Sequence, residues 1–442
     1  MMISEPVVGI IMLFVMILSI FIGFPIAFTL MALGVLFGLP YMGWTVFDLL
    51  VQRAYATMSN DVLQAVPLFM LMGYVMERAG IMDRMFHSYR LLFGPLPGAI
   101  ALTTMIVGTV FGIASGIVGA GVTMMGVLAL PPMLRAKYSV ELAAGTITST
   151  GTLGILIPPS VMLIVYAATA GVSIVKVYAG AFGPGFLMSG LFLLYIFIVC
   201  LFKPELGPPL PKEERTAPWS TILWEVAVSS VPIGILTVVV LWVIIVGWTT
   251  ATEAAAIGAL LSFLIAAGYG KLNWQMASES VRLTGRTTAM VCWLFVGASL
   301  FAAVFARLGA QAQLEQWVLN LGLGSNGFLW LAMLIIFLLG WPLEWTEIIV
   351  IFIPIFLPLL KTFQIDPLIF GVMVAVNLQT SFLSPPVAMA AFYLKGIAPP
   401  HVTLNQIYRG MYPFLAIQML TLLLTWLWPE LTLWLPRYLY GE

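Results

Sequence analysis

The sequence predicts an all-α, polytopic membrane protein made of two inverted-topology repeats, each with a re-entrant helical hairpin and a broken transmembrane helix. Three observations predict this. The first is composition: of 442 residues, 62% are hydrophobic and only 8% charged, too few polar groups to clothe a soluble globule of this size. The apolar runs are long and continuous, where a β-barrel needs alternation at every second residue. The second is the stretch Thr150-Gly-Thr-Leu-Gly-Ile-Leu-Ile-Pro158-Pro159. Its prolines lack backbone donors and disfavour a helical residue before them, and its glycines relax the chain just upstream. Such a break is tolerated in lipid only where protein buries it or a cavity receives it, because each bare polar group costs several kcal/mol. The third is recurrence: Asn377-Leu-Gln-Thr-Ser-Phe-Leu-Ser-Pro385-Pro386 follows 227 residues later, with Pro131 falling on Pro358 and Tyr166 on Tyr393. One proline pair alone reads as a structural kink. Interrupted segments at matching places in two halves point to a transport site.

Each element follows from the apolar runs. Residues 6–40 hold two short crossings with a turn at Gly23-Phe-Pro25. Residues 41–60 carry Trp44, Asp48, Arg53 and Tyr55 and are interfacial, and a crossing runs from Asp61 to Glu77. The run 98–134 is too long for one span and has basic residues at both ends, so both ends lie on the cytoplasmic side. A hairpin turning in Gly112-Ile-Ala-Ser-Gly-Ile-Val-Gly-Ala-Gly121 accounts for this; two full crossings joined by a glycine turn are the alternative. The broken segment covers 141–175, and 180–202 returns to Lys203. The first repeat is thus 1–202, and the polar, proline-rich Lys203–Pro218 stretch reads as a solvated cytoplasmic strap. The second repeat, 219–442, has crossings at 222–247, 251–270 and 287–306, a hairpin at 328–360 turning at Gly340-Trp-Pro-Leu-Glu-Trp-Thr346, a broken segment at 366–395 and a last crossing at 410–428. Met76-Glu-Arg-Ala-Gly80 resembles Phe305-Ala-Arg-Leu-Gly309, which supports the register. An odd number of full crossings per half inverts the second, a plan suited to alternating access. The amino terminus lacks a charged n-region and a small-residue cleavage site, so it reads as mature transmembrane structure.

Several functions are disfavoured. Formal net charge is zero, and nothing argues for nucleic acid. Four aspartates and two histidines, mostly near predicted span ends, form no metal-ligand spacing, serine elbow or phosphate loop, so catalysis is the minor reading. Cys200 and Cys292 sit in apolar runs and read as buried thiols. Cation binding needs less: a few oxygens, which an unwound helix supplies as carbonyls beside hydroxyl and amide side chains. The first break offers Thr148, Ser149, Thr150 and Thr152 with the carbonyls near Gly154; the second offers Asn377, Gln379, Thr380, Ser381 and Ser384. Any single hydroxyl there can instead bond back to the preceding turn; the two clusters together outweigh that. Half-helix ends add potential of either sign for ions. Glu344 and Glu347 interrupt an apolar run, which is expensive unless they face a cavity or a partner. For Glu344 both an ion pair with a basic residue and a place near a cation stay open. Ser115 is its nearest counterpart in the first hairpin. Arg53, Arg286 and Arg307 read as helix-end anchors.

Gly151-Thr-Leu-Gly-Ile-Leu-Ile-Pro-Pro-Ser160, Thr252-Glu-Ala-Ala-Ala-Ile-Gly258 and Ser384-Pro-Pro-Val387 are similar to the motifs of the large membrane subunit of tripartite ATP-independent periplasmic (TRAP) transporters, and the resemblance covers essentially the whole chain. It implies a multi-pass protein of the bacterial inner membrane, a sodium-coupled symporter of elevator type importing an organic anion, commonly a carboxylate. Its implied partners are a small four-helix membrane subunit and a periplasmic substrate-binding protein; it implies no cofactor beyond sodium as the coupling ion. The family's sites map onto the hairpin tips and breaks. In this sequence that means Ser115, Gly116 and Gly119; Thr150, Gly151, Thr152, Gly154, Pro158 and Pro159; Gly340, Glu344 and Thr346; and Asn377, Gln379, Thr380, Ser381, Ser384, Pro385 and Pro386. Sodium is expected at Ser115, Thr152, Glu344, Thr380 and Ser381. Three positions depart from the commoner pattern: Glu344-Trp-Thr346 replaces Asp-Thr-Thr, Ser384 replaces Thr before the prolines, and Ala388 replaces the Gly that follows. Trp345-Thr-Glu-Ile348 and Asn377-Leu-Gln-Thr-Ser381 resemble the branch for mannitol, chloroaromatic or 2-oxo acid uptake, which points away from sialic acid. A stand-alone sodium/anion symporter of the same plan, needing no binding protein, is the alternative.

Overall fold

A computed structural model describes residues 4–116 and 118–441, without the side chains of residues 114 and 115. The described residues are helical throughout, with no strand among them. Among the described residues eight helices are long and apolar enough to cross a membrane, and a ninth crossing arises if one bent pair is counted as a single span.

The first half opens with α1 (Glu5–Ile22) and α2 (Ile26–Met42), parted by Gly23, whose φ of +92° ends α1 in the left-handed conformation that glycine accepts without cost. The short α3 (Thr45–Met58) precedes α4 (Asp61–Arg78), whose amino end is capped by the Asn60 side chain accepting from the Val62 and Leu63 amides. Helix α5 (Ile81–Leu92) leaves α4 at a bend of 59°. Helices α6 (Ala99–Ser115) and α7 (Val118–Arg135) form the first hairpin, turning at Gly116 with φ of +63°. Helix α8 (Val140–Thr152), the tight turn Leu153–Ile155 and α9 (Val161–Ala170) form the first broken segment, and α10 (Ile174–Phe202) leaves it.

The second half repeats the order with α11 (Trp219–Ile245), α12 (Ala251–Gly268), α13 (Trp274–Arg307) and α14 (Ala310–Asn320). The second hairpin is α15 (Ser325–Leu339) against α16 (Trp345–Glu347) and α17 (Ile353–Thr362), the last two joined by a π-helical turn over Ile348–Phe352. The second broken segment is α18 (Pro367–Leu383) and α19 (Met389–Ile397), followed by α20 (Leu404–Leu427) and α21 (Glu430–Tyr440). Helix α13 is longer than the expected 287–306 crossing. Its first turns continue uninterrupted from the Asn273 cap, where the first half breaks the chain between α3 and α4.

The strap between the halves is not freely solvated. The Gly207 and Leu206 carbonyls accept from the Gly98 and Ser139 amides (2.7 and 2.9 Å), and the Leu210 amide donates to Gly94 (3.0 Å). Glu214 pairs with Arg90 at 3.0 Å. The strap therefore closes the open end of the first hairpin, because its proline-rich backbone satisfies groups at the start of α6 and α8 that no helix serves. Cys200 is a buried thiol beneath it, as expected, and Cys292 is half-buried.

The closest helix pairs define the packing. Helix α4 lies against α12 and α13 and also against α6 and α9, and α2 against α13; α8 lies against α6, α7 and α20, and α18 against α15 and α20. Glycine permits a close crossing of α8 and α20: a Cβ at Gly145 would strike the Gly410 carbonyl, and one at Gly410 the Glu141 carbonyl. Small residues are what let two membrane helices approach this closely.

A buried polar site between two helix breaks

Helix α8 ends where its donors run out. Pro158 and Pro159 have no N–H, so the Gly154 and Ile155 carbonyls lose their helical partners. The Ser160 hydroxyl donates to the Ile155 carbonyl at 2.7 Å, which leaves Gly154 without a replacement among the described residues. The peptide between the prolines is cis, as is the one between Pro385 and Pro386. In the second break the carbonyls that lose donors are those of Ser381 and Phe382. The Ser384 amide and hydroxyl both turn back to Ser381 (3.2 and 3.1 Å), so Phe382 is the one left over.

The hydroxyls behave as the cautious reading anticipates, one by one. Thr148 donates to the Ala144 carbonyl, Thr150 to Thr146, Thr152 to Ser149 and Thr380 to Asn377, all within 2.8 Å. A hydroxyl that commits its proton backwards still presents lone pairs forwards, so this bonding is compatible with holding a cation. Ser381 bonds the Asn377 carbonyl weakly at 3.4 Å, and Asn377 reaches across to donate to the Met333 carbonyl of α15 at 2.7 Å.

Glycine brings hairpin backbone onto break backbone. A Cβ at Gly112 would lie 2.9 Å from Gly154 Cα, and a Cβ at Gly154 would lie 2.8 Å from the Gly112 carbonyl oxygen. Gly151 faces the Val122 amide, where a Cβ would sit at 2.7 Å. The second hairpin touches its break through side chains instead. Gly340 lies over Ser381, where an added Cβ would meet the Ser381 Oγ at 2.6 Å, and the Trp341 indole N–H donates to Ser384 Oγ at 2.7 Å.

The two breaks also meet each other. Thr152 Oγ1 lies 3.1 Å from Gln379 Oε1, a contact between residues 227 apart and therefore equivalent in the two halves. Gln418 of α20 joins them, donating from Nε2 to Thr152 Oγ1 at 3.0 Å. All three side chains are fully buried.

Between the hairpin tips lies a cavity of about 60 Å³ lined by Val118, Gly119, Glu344, Trp345, Phe382, Met389 and Tyr393. The Tyr393 hydroxyl donates to Glu344 Oε1 at 3.4 Å, and Glu347 accepts from the Glu344 amide at 2.9 Å. Of the two options open for Glu344, the ion pair is not what the fold provides: among the described residues its side-chain partner is Tyr393.

The expected residues fall into several distinct contacts about the two breaks. Thr152 and Gln379 touch directly, Gly119 and Glu344 share the cavity, and Gly340 and Ser384 bind the second tip to its break. Gly116 is the turn of the first tip and lies against Val161, where a Cβ would sit at 3.4 Å. Thr346 is buried behind the tip and does not line the cavity. The side chain of Ser115 lies outside the described residues. Sequence reading missed Gln418, although a lone amide in the apolar run Ala416-Ile-Gln-Met-Leu420 is itself a signal. It also missed Tyr393 and Trp341 as site residues.

A bundle of membrane-length helices whose interrupted segments and hairpin tips converge on a buried polar centre is the architecture of a membrane transporter subunit. The solved structure of the Alcanivorax borkumensis YdaH transporter has the same fold, with a TM-score of 0.62 at 16% identity over 91% of this chain and 96% of that one. The chain belongs to the DctM component family of the tripartite ATP-independent periplasmic transporters, whose family model matches residues 10–431. It is 30% identical to the C4-dicarboxylate TRAP transporter large permease protein DctM of Pseudomonas aeruginosa, over 88% of this chain and 89% of that protein. It is 28% identical to the sialic acid TRAP transporter large permease protein SiaM of Vibrio cholerae, over 96% and 97% respectively. These relatives are transport permeases, not enzymes.

Proposed function

We propose that this chain is the transport subunit of a sodium-coupled importer of an organic acid, receiving its solute from a periplasmic binding protein and working in the bacterial inner membrane with a small four-helix subunit. The observation that carries the reading is that two equivalent breaks, each with a carbonyl short of its helical donor and a set of hydroxyls, converge in the protein interior. Oxygen-only sites of modest charge suit sodium. Glu344, without a basic partner among the described residues, supplies the negative charge that a cation near the second tip would use. The cavity beside it is too small for a carboxylate solute of several carbons, so solute entry requires the tips to part. The named relatives carry C4-dicarboxylate and sialic acid, both carboxylates, and this class is the one proposed here.

In this reading residues 1–202 and 219–442 are the two inverted repeats. The hairpins, broken segments and the helices α10 and α20 slide together past the outer crossings. Entry of one sodium ion into a negative-inside cell releases about 2.3 kcal/mol per 100 mV, so two net charges at about 100 mV support a solute gradient of about two thousandfold. The test is uptake by proteoliposomes containing both membrane subunits, supplied with the binding protein and a panel of labelled carboxylates. Accumulation that needs an inward sodium gradient is expected. Accumulation unchanged when choline replaces sodium would sink the coupling, and accumulation of free solute without the binding protein would favour a stand-alone symporter.

A further inference from the structure

We propose that Gln418 is a positioning residue that couples the two ion sites, making sodium binding at one break favour binding at the other; this rests on the sodium reading above. Gln418 lies on α20, outside both breaks, and is fully buried. Its amide donates to Thr152 Oγ1 at 3.0 Å. The Thr152 hydroxyl has one proton and two acceptors for it, the Ser149 carbonyl at 2.8 Å in its own break and Gln379 Oε1 at 3.1 Å in the other. Gln418 fills one lone pair of Thr152 and so holds the hydroxyl where that choice is between the two breaks. A cation that draws on the Ser149 carbonyl weakens it as an acceptor and turns the proton toward Gln379. The state of the first break is then felt at the second through one hydrogen bond.

A bond made only for stability would be built differently. Among the described residues, Gln379 Nε2 and Gln418 Oε1 are buried without hydrogen-bond partners, and an unsatisfied buried amide atom is a cost that an apolar side chain of the same shape avoids. Keeping two such atoms at the contact between equivalent residues of the two halves is explained by coupling and not by cohesion. Both ligands of a coupled pair must feel the effect equally, so the signature is cooperativity in sodium.

The experiment uses the reconstituted transporter with its small subunit and binding protein, and measures initial uptake against sodium concentration for the parent and Gln418→Met, which keeps length and volume. Gln418→Leu serves if Met fails to fold. The parent is expected to respond with a Hill coefficient of about 2 and the variant with about 1, its half-saturating sodium rising about fivefold or more. The melting temperature without sodium should be unchanged or higher in the variant. An unchanged Hill coefficient in a folded variant overturns the proposal, as does a variant that melts lower while keeping the parent's sodium response, which marks a plain structural bond. A sodium-dependent parent with a Hill coefficient of 1 also overturns it and leaves the sodium reading standing. A sodium-independent parent removes both.

Discussion

The first break is buried along its whole length from Gly151 to Ser160, whereas the second comes to the surface at Pro386. Both use the same proline pair, yet their neighbours hold them differently. At the first, hairpin backbone lies on break backbone through Gly112, Gly121, Gly151 and Gly154, so nothing there can move without the whole hairpin. At the second, contact is made by the Trp341 and Ser381 side chains and by Ser384, with Ser381 Cβ 2.5 Å from where a Gly340 Cβ would stand. The second break also contains Ala388 at φ of +36°, a conformation that costs an L-residue about 1–2 kcal/mol. The difference teaches that equal sequence devices can be held unequally: the first break lies backbone on backbone against its hairpin, the second is met by side chains.

The largest effect that could break this comparison is at Gly154. Gly154→Ala sets a methyl against the Gly112 carbonyl with no rotamer to relieve it, and a loss of about 3 kcal/mol is expected, seen as lost monodisperse yield and lost uptake. Gly340→Ala sets its methyl 2.5 Å from Ser381 Cβ, side chain against side chain and not against a backbone carbonyl, and is expected to cost less, about 1–2 kcal/mol. Equal behaviour of the two variants would erase the distinction drawn here.

Next is Glu344→Gln. With no ion pair to lose, the fold is expected to stay intact while uptake at limiting sodium drops about tenfold, equivalent to about 1.4 kcal/mol. Tyr393→Phe, which removes only a 3.4 Å bond, is expected to change uptake by about twofold at most. A Glu344→Gln protein that transports normally would show the carboxylate to be a helix-start group only.

Ser384→Ala leaves the Trp341 indole N–H without its 2.7 Å partner and is expected to lower stability by about 1–2 kcal/mol, with a change in tryptophan emission. A smaller change in stability is expected at Ala388. Ala388→Gly relieves the left-handed strain and is expected to gain about 0.5–1 kcal/mol, read as a higher melting temperature. A loss there instead would mean that the alanine methyl packs better than its backbone angle suggests.

Much of this was legible in the chain. The breaks, the hairpin turn near Gly116 and the correspondence of the two proline pairs all follow from proline, glycine and a repeat read in register. The fate of Lys203–Pro218 was not legible: a polar, proline-rich run reads as a free strap. Its backbone docks nonetheless, because Gly98 and Ser139 at nearby helix starts need acceptors. Gln418 escaped because its partner lies 266 residues away and no local pattern marks that contact.

The sequence by itself determined the class of protein, the family and the positions of the two interruptions, since proline and glycine act on their own backbone and apolar runs act by length. Only the tertiary structure decided which carbonyl each break leaves over, that Ser160 serves Ile155 in one half while Ser384 serves Ser381 in the other, and that an amide from α20 ties the halves together. Those outcomes depend on distances between groups far apart in the chain, and a hydrogen bond exists or fails within a few tenths of an ångström.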